Sequence, residues 1–205
     1  MQSDTLASAL TKLLSLAAAA ALVVFGAATA APPVQTVPQL DHQRYAGIWY
    51  ELARLPNRLQ ARCVGDATAT YRPAADGSLT LVRRCREVDD RWGVAVGRAT
   101  VADSDTSGAR LRVNYLPRWL QWWPSAYDDH WVVLLDDDYR YAVVSDPQRR
   151  TLWILSRTPT LDMDSFDNLM TRLRAQKYPV DRLVPTPQRA ARGAPAFAAH
   201  PPLVV

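Results

Sequence analysis

Apolar positions in this chain fall into short runs of period two, separated by turn signals. Leu111, Val113 and Tyr115 alternate with Arg110, Arg112 and Asn114, the pattern of a strand with one buried face. Ala67 to Tyr71 alternates in the same way, Asp76-Gly77 marks a hairpin turn, and Leu79 to Arg84 is the returning strand. After a turn at Asp89-Asp90, Val94 to Val101 follows, with Gly97 and Ala99 leaving little bulk on one face. Trp131 to Leu135, Tyr139 to Ser145 and Thr151 to Leu155 continue the series, divided by Asp136-Asp137-Asp138 and Asp146-Pro147. At the front, Gly47 to Leu55 has too few apolar residues at helical spacing for an amphipathic helix, and its aromatic content favours a strand. Only near the end does the period change. Asp162 or Asp164 can cap a helix with Phe166, Leu169, Met170 and Leu173 on one face, ending near Tyr178-Pro179. A short extended piece, Val180 to Val184, comes after it.

Eight strands joined mostly by tight turns, then one helix, predict an all-β fold. The arrangement is an eight-stranded antiparallel up-and-down barrel with a C-terminal α-helix. A sandwich with a helix is the alternative. A barrel of eight strands encloses either packed side chains or one small ligand. Parity with Trp49 points Glu51 and Ala53 inward on the first strand, and Trp153 and Leu155 share the parity of Arg157 on the eighth.

The ends of the chain have a different character. Lys12 precedes an apolar run from Leu13 to Ala28, and Ala28-Thr29-Ala30 is a small-x-small cleavage site, so residues 1–30 read as a cleaved secretory signal peptide. The run is short and Ala-rich for a membrane anchor. Cysteine is absent near the cleavage site, which leaves no lipid attachment point and predicts an exported, periplasmic protein. Residues 31–40 read as a Pro-rich linker, 41–187 as the barrel with its helix, and 188–205 as a disordered Pro-, Ala- and Arg-rich tail. Net charge is +4, nearly all the positive charge is Arg, and the basic residues are dispersed, which argues against nucleic acid as a partner. In an oxidising compartment Cys63 and Cys85 are candidates for a disulfide, since the hairpin brings them close to register; two free thiols, one a nucleophile, are the alternative.

Three segments carry a resemblance. Gly47-Ile48-Trp49, Asp137-Asp138-Tyr139 and Ile154-Leu155-Ser156-Arg157-Thr158-Pro159 resemble the three lipocalin signature motifs, in order. Trp49 to Arg54, Ala69 to Tyr71, Pro124 to Ala126 and Trp153 to Pro159 are similar to the bacterial outer-membrane-type lipocalins related to apolipoprotein D. The resemblance spans about Gln39 to Thr186, with Asp137 where the family has Thr. An up-and-down barrel independently puts the three motif segments at one end, because alternate turns share an end. The resemblance implies a closed end built from Gly47, Trp49, Asp138, Tyr139 and Arg157, with Arg157 stacked on Trp49. It also implies Tyr71 and Trp153 as ligand contacts.

Function is then expected at the opposite end, ringed by loops 54–65, 86–93, 116–130 and 146–150. Trp119, Trp122 and Trp123 line the mouth, dip into a membrane interface, or pack on the rim. With Tyr71, Val113, Tyr115, Trp153 and Glu51 they form the candidate ligand-binding set, in which Glu51 orients a polar head or is a satisfied interior carboxylate. The expected function is binding and transport or storage of a small lipophile, a fatty acid or lysophospholipid, in the cell envelope, where the resemblance implies a stress role. The alternatives are a membrane-surface module built on the Trp loop, and a lipocalin-fold enzyme using a cysteine thiolate. No cofactor is expected. Adjacent Asp128, Asp129 and His130 alternate across a strand and do not converge on a metal. A monomer or homodimer is expected.

Overall fold

The computed structural model describes residues 31–120 and 127–189. Eight antiparallel strands close into a barrel: β1 (Gly47–Arg54), β2 (Cys63–Pro73), β3 (Leu79–Glu87), β4 (Trp92–Val101), β5 (Arg110–Asn114), β6 (Tyr127–Leu135), β7 (Tyr141–Ser145) and β8 (Leu152–Ser156). Each pairs with its sequence neighbour, and β1 pairs with both β8 and β2 to close the ring. A short helix α1 (His42–Tyr45) precedes the barrel and α2 (Met163–Ala175) follows it. A two-residue β9 (Val184–Pro185) joins the far end of β1. Several strands run longer than their apolar alternation, because hydrogen-bonded ladders extend past the buried layer. β2 begins at Cys63 and β6 at Tyr127, while β7 begins only at Tyr141 because Tyr139 turns the chain at φ 59.

Two apolar layers hold the molecule. Inside the barrel, Tyr45, Trp49, Tyr71, Leu81, Leu111 and Val113 are fully buried and pack with Trp153 and Leu155. Outside it, Leu169, Met170 and Leu173 of α2 cover Leu52, Leu55, Val143 and Ile154. Asp162 starts that helix, accepting from the Ser165 N–H at 2.8 Å. Strands β7 and β8 lie between the layers and are buried at every position.

A β-bulge changes the parity of β1. Glu51 stands opposite Leu155 and Ala53 opposite Ile154, so Leu52 is the extra residue. Ala53 therefore joins the layer beneath α2 instead of facing inward, and Arg54 takes the inward position.

Both flanking segments are built into the fold. The Pro-rich stretch read as a linker lies against the barrel: Val34 and Leu40 are buried, and the Val37 N–H donates to the Val132 carbonyl at 2.9 Å. At the other end, Val180–Arg182 is a 3-10 turn, and only Val184–Pro185 is extended. β1 and β2 pair directly only over Gly47 to Tyr50. Beyond that the C-terminal segment spans the gap. The Thr186 N–H donates to Leu52, and the Gln188 amide donates to the carbonyls of Glu51 at 2.8 Å and Ala67 at 3.0 Å. Arg189 pairs with Asp66 at 2.7 Å. Gln188 and Arg189, assigned to the tail from composition, are thus part of the barrel wall; residues 190–205 lie outside the described residues.

Candidate functional site

One end of the barrel is shut. Gly47 has φ +100, and a β-carbon there would stand 3.2 Å from Arg157 Nη1, so glycine meets both a conformational and a spatial demand. Arg157 lies 3.8 Å over the Trp49 ring and donates to the carbonyls of Ile48 at 3.0 Å and Arg44 at 2.6 Å. Trp49 Nε1 donates to the Tyr45 carbonyl. The β6–β7 turn joins this end: Tyr139 Oη accepts from the Asp41 N–H, and Arg44 lies 4.1 Å over the Tyr139 ring. The carboxylate holding that turn belongs to Asp136, which accepts from the N–H groups of Asp138 and Arg140. Asp138 contributes its backbone N–H.

A different set of contacts organises the opposite end. The loop after β1 turns its buried Gln60 down into the barrel. Gln60 Nε2 donates to Glu51 Oε2 at 2.6 Å, and its Oε1 accepts from Trp153 Nε1 at 2.6 Å. Asn57 holds the backbone of this turn, its Oδ1 accepting from the Gln60 N–H. Glu51 Oε1 accepts from Arg54 Nη1 at 2.9 Å and from Thr186 Oγ1 at 2.7 Å. Both Glu51 oxygens are therefore engaged within the fold, and this carboxylate is a satisfied interior group. Of the two roles expected for Glu51, its contacts match the satisfied carboxylate.

Beside this plug lies a cavity of about 220 Å³. Leu59 and Gln60 border it on the loop side, and the Cys63–Cys85 disulfide, with Cα atoms 5.6 Å apart, forms part of its wall. Arg83 and Tyr115 line it within the barrel. Its space comes from β4, whose inward positions Gly93 and Ala95 carry almost no side chain. A β-carbon on Gly97 would come within 2.8 Å of Val113 and 2.9 Å of the Tyr115 ring, so Gly97 is what lets Tyr115 lie across the interior.

Of the candidate ligand-binding residues, Tyr115 lines this cavity. Trp119 stands on the rim, 73% exposed, whereas Trp122 and Trp123 lie outside the described residues. Tyr71, Val113 and Trp153 are buried behind the cavity wall: Tyr71 touches Tyr45 and His130, Val113 is packed against Gly97 in the core, and Trp153 is covered by Arg83. Alternation along β5 is what assigned Val113 to the pocket and the resemblance is what assigned Tyr71 and Trp153, and neither gives depth.

Residues the sequence reading passed over occupy the centre of the site. The Arg83 guanidinium lies 4.1 Å over Trp153, with Nη2 3.5 Å from His130 Nδ1. His130 Nε2 and Tyr71 Oη are 2.5 Å apart. An N–H of Arg83 facing Nδ1 requires that nitrogen to be the acceptor, so Nε2 carries the proton and Tyr71 Oη accepts it. Burial, together with Arg83, holds the His130 pKa well below the ordinary imidazole value. A signal for Arg83 was present, since it shares the parity of Leu79, Leu81 and Cys85. Gln60 gave none, being one polar residue in a polar loop.

The geometry is that of an up-and-down β-barrel plugged at one end and hollow at the other. The Lipocalin-like domain family model matches residues 40–188. The chain is 34% identical over 156 residues to temperature-induced lipocalin-1 of Arabidopsis thaliana, covering 76% of this chain and 83% of that protein. It is 32% identical over 171 residues to the outer membrane lipoprotein Blc of Escherichia coli, covering 82% and 92% respectively. Among solved structures, insecticyanin from the tobacco hornworm superposes with a TM-score of 0.59 at 16% identity, over 76% of this chain and 84% of that one. The chain belongs to the lipocalin family.

Proposed function

We propose that this protein binds a small lipophilic molecule in the open-end cavity and carries or stores it in the bacterial cell envelope. The observation carrying the reading is the 220 Å³ cavity bordered by Leu59, Ala95, the disulfide and Tyr115, in a barrel whose other end is filled by Tyr45, Trp49 and Tyr71. Such sites are concave and mostly apolar, with a few polar groups. The secretory signal read at residues 1–30 and the similarity to an outer membrane lipoprotein support the envelope location. A binding role fits better than catalysis by cysteine, because the chain's two cysteines are joined to each other. Thiol titration of unreduced, unfolded protein is expected to find none. The reading is tested by native mass spectrometry of protein from its own host, followed by delipidation and tryptophan quenching with fatty acids and lysophospholipids. A delipidated protein that binds none of these probes would overturn it.

A second reading rests on the rim. Leu59, Val88, Val94 and Trp119 are each 60% exposed or more, and all belong to the open end. Exposed apolar groups gathered at one end suit a membrane interface, where a ligand would be collected or delivered.

A further inference from the structure

Three charged residues border the cavity, Arg83, Arg84 and Glu87. Glu87 is ion-paired with Arg62 and Arg84 stacks on Trp92, which leaves Arg83 as the one inside the barrel. Its Nε is buried without a hydrogen-bond partner. Two other arginines share that orphaned atom, but they differ in setting: Arg98 is ion-paired with Asp76, and Arg110 stacks on Trp131 on the outward side of β5. Arg83 has no ion-pair partner among the described residues. Glu51 is already held by Arg54, Gln60 and Thr186. The Asp128 carboxyl is raised above its ordinary range by burial in spite of Arg83, the opposite of what an ion-pair partner would show. The polar neighbours of Arg83 are the neutral His130 and the Tyr115 phenol. Arg83 is half-buried, with its Nε wholly so, and a guanidinium in that setting without a compensating anion gains from one brought to it.

Register locates this charge along the barrel. Arg83 pairs with Ala95 on β4, inward of the Cys85–Gly93 pair and four residues from Glu87 at the rim. Four residues at ~3.3 Å each put the Arg83 α-carbon roughly 13 Å along the strand from the rim, which the tilt of barrel strands reduces to a depth of about 10 Å, comparable to a medium alkyl chain. The walls between are Gly93, Ala95, the disulfide and Leu59, which suit a hydrocarbon. The Trp153 face, which could otherwise hold a cationic head, is occupied by Arg83. At 220 Å³ the cavity falls below the roughly 300–1,000 Å³ common for drug-sized ligands, which favours a slender molecule over a two-chain lipid.

We propose that Arg83 anchors the carboxylate of a single-chain carboxylic acid that enters head first, its tail directed to the apolar rim. The inference rests on the ligand-binding reading above and deepens it. The orientation follows from charge placement: the inner end of the cavity carries the half-buried Arg83 cation without an ion pair, whereas the outer end carries the Glu87 carboxylate and exposed Leu59, Val94 and Trp119.

The test compares dodecanoate with its methyl ester on delipidated wild-type protein at pH 7.5, by isothermal titration calorimetry and tryptophan quenching. This comparison needs no variant, so misfolding cannot confound it. Charge-assisted hydrogen bonds of about 1.5–3 kcal/mol correspond to an expected preference for the acid of about 10- to 100-fold. Arg83→Met is expected to reduce the acid to the affinity of the ester while leaving the ester unchanged, and Arg83→Lys to keep part of the preference; near-UV circular dichroism checks that both variants fold. Equal wild-type affinity for acid and ester, or an unchanged preference in Arg83→Met, overturns the anchor and leaves the ligand-binding reading standing. Binding of neither probe overturns the anchor, and extending that failure to the wider lipid panel overturns the binding reading as well.

Discussion

At the scale of single residues, opposite demands are placed on glycine and on buried polar groups. Gly47 sits where the chain enters β1 at φ +100 with Arg157 Nη1 close by. Gly47→Ala is expected to cost about 1–3 kcal/mol in urea unfolding, the usual cost of forcing a side chain into that region. Gly97→Val overpacks the interior: it meets Val113 and the Tyr115 ring, so a loss of about 1–3 kcal/mol is expected in urea unfolding, with lower probe affinity where the Tyr115 ring is pushed into the cavity. His130 gives the molecule a pH dependence. The unfolded chain protonates it near the ordinary pKa of about 6.5, and the folded chain only well below that value. Between those limits the unfolded state binds more protons, so stability falls as pH drops from about 6.5, by up to about 1.4 kcal/mol per pH unit. The raised carboxyl of Asp128 acts in the opposite direction above about pH 4. The depressed carboxyls of Asp66, Asp105 and Asp146 contribute stability that is lost only below about pH 4. The difference between wild type and His130→Phe in urea titrations from pH 4.5 to 7.5 isolates the imidazole, and a wild-type slope shared by the variant would refute this assignment.

At the scale of elements, the loop after β1 and the C-terminal segment are the parts that local pattern reads least well. Gln60 fastens the loop by satisfying Trp153 Nε1 and Glu51 Oε2 together. Gln60→Ala leaves both buried and unpaired, with an expected loss of roughly 2–4 kcal/mol, together with faster probe entry in stopped-flow quenching. Strands such as β2 and β5 were legible because period-two alternation records a barrel wall wet on one side, whereas β7 and β8, covered on both faces, were legible as short apolar runs between turn signals. The bulge at Leu52 was not, because an inserted residue leaves no mark in an alternation so short, and it reverses which of Ala53 and Arg54 faces inward. The closing segment 184–189 was equally hidden. Its contacts are backbone pairing and one glutamine bridging β1 to β2, and neither depends on an apolar pattern.

At the scale of the whole molecule, the barrel is asymmetric, with an aromatic plug at one end and a hollow, apolar-rimmed mouth at the other. The Cys63–Cys85 bridge ties β2 to β3 beside that mouth across a separation of 22 residues. Its reduction is expected to lower stability by about 3 kcal/mol, measured as a drop in thermal midpoint with added dithiothreitol. If the rim contacts lipid, flotation with liposomes is expected for the wild type and to be diminished when Leu59, Val94 and Trp119 are changed to Ser; equal flotation would remove the membrane reading.

The sequence by itself determined the strand count and order, the helix and its buried face, and the segments that meet at the shut end; it offered Cys63 and Cys85 as a candidate pair, which the structure joins. These follow from local periodicity, turn chemistry and the alternation of ends in an up-and-down barrel. Only the tertiary structure decided the depth and contents of the cavity. Arg83, His130 and Trp153 come from three different strands, and Gln60 reaches them from a loop. Inward direction can be read along one strand, whereas the distance between side chains across a barrel depends on shear, on bulges and on which positions of β4 are glycine or alanine.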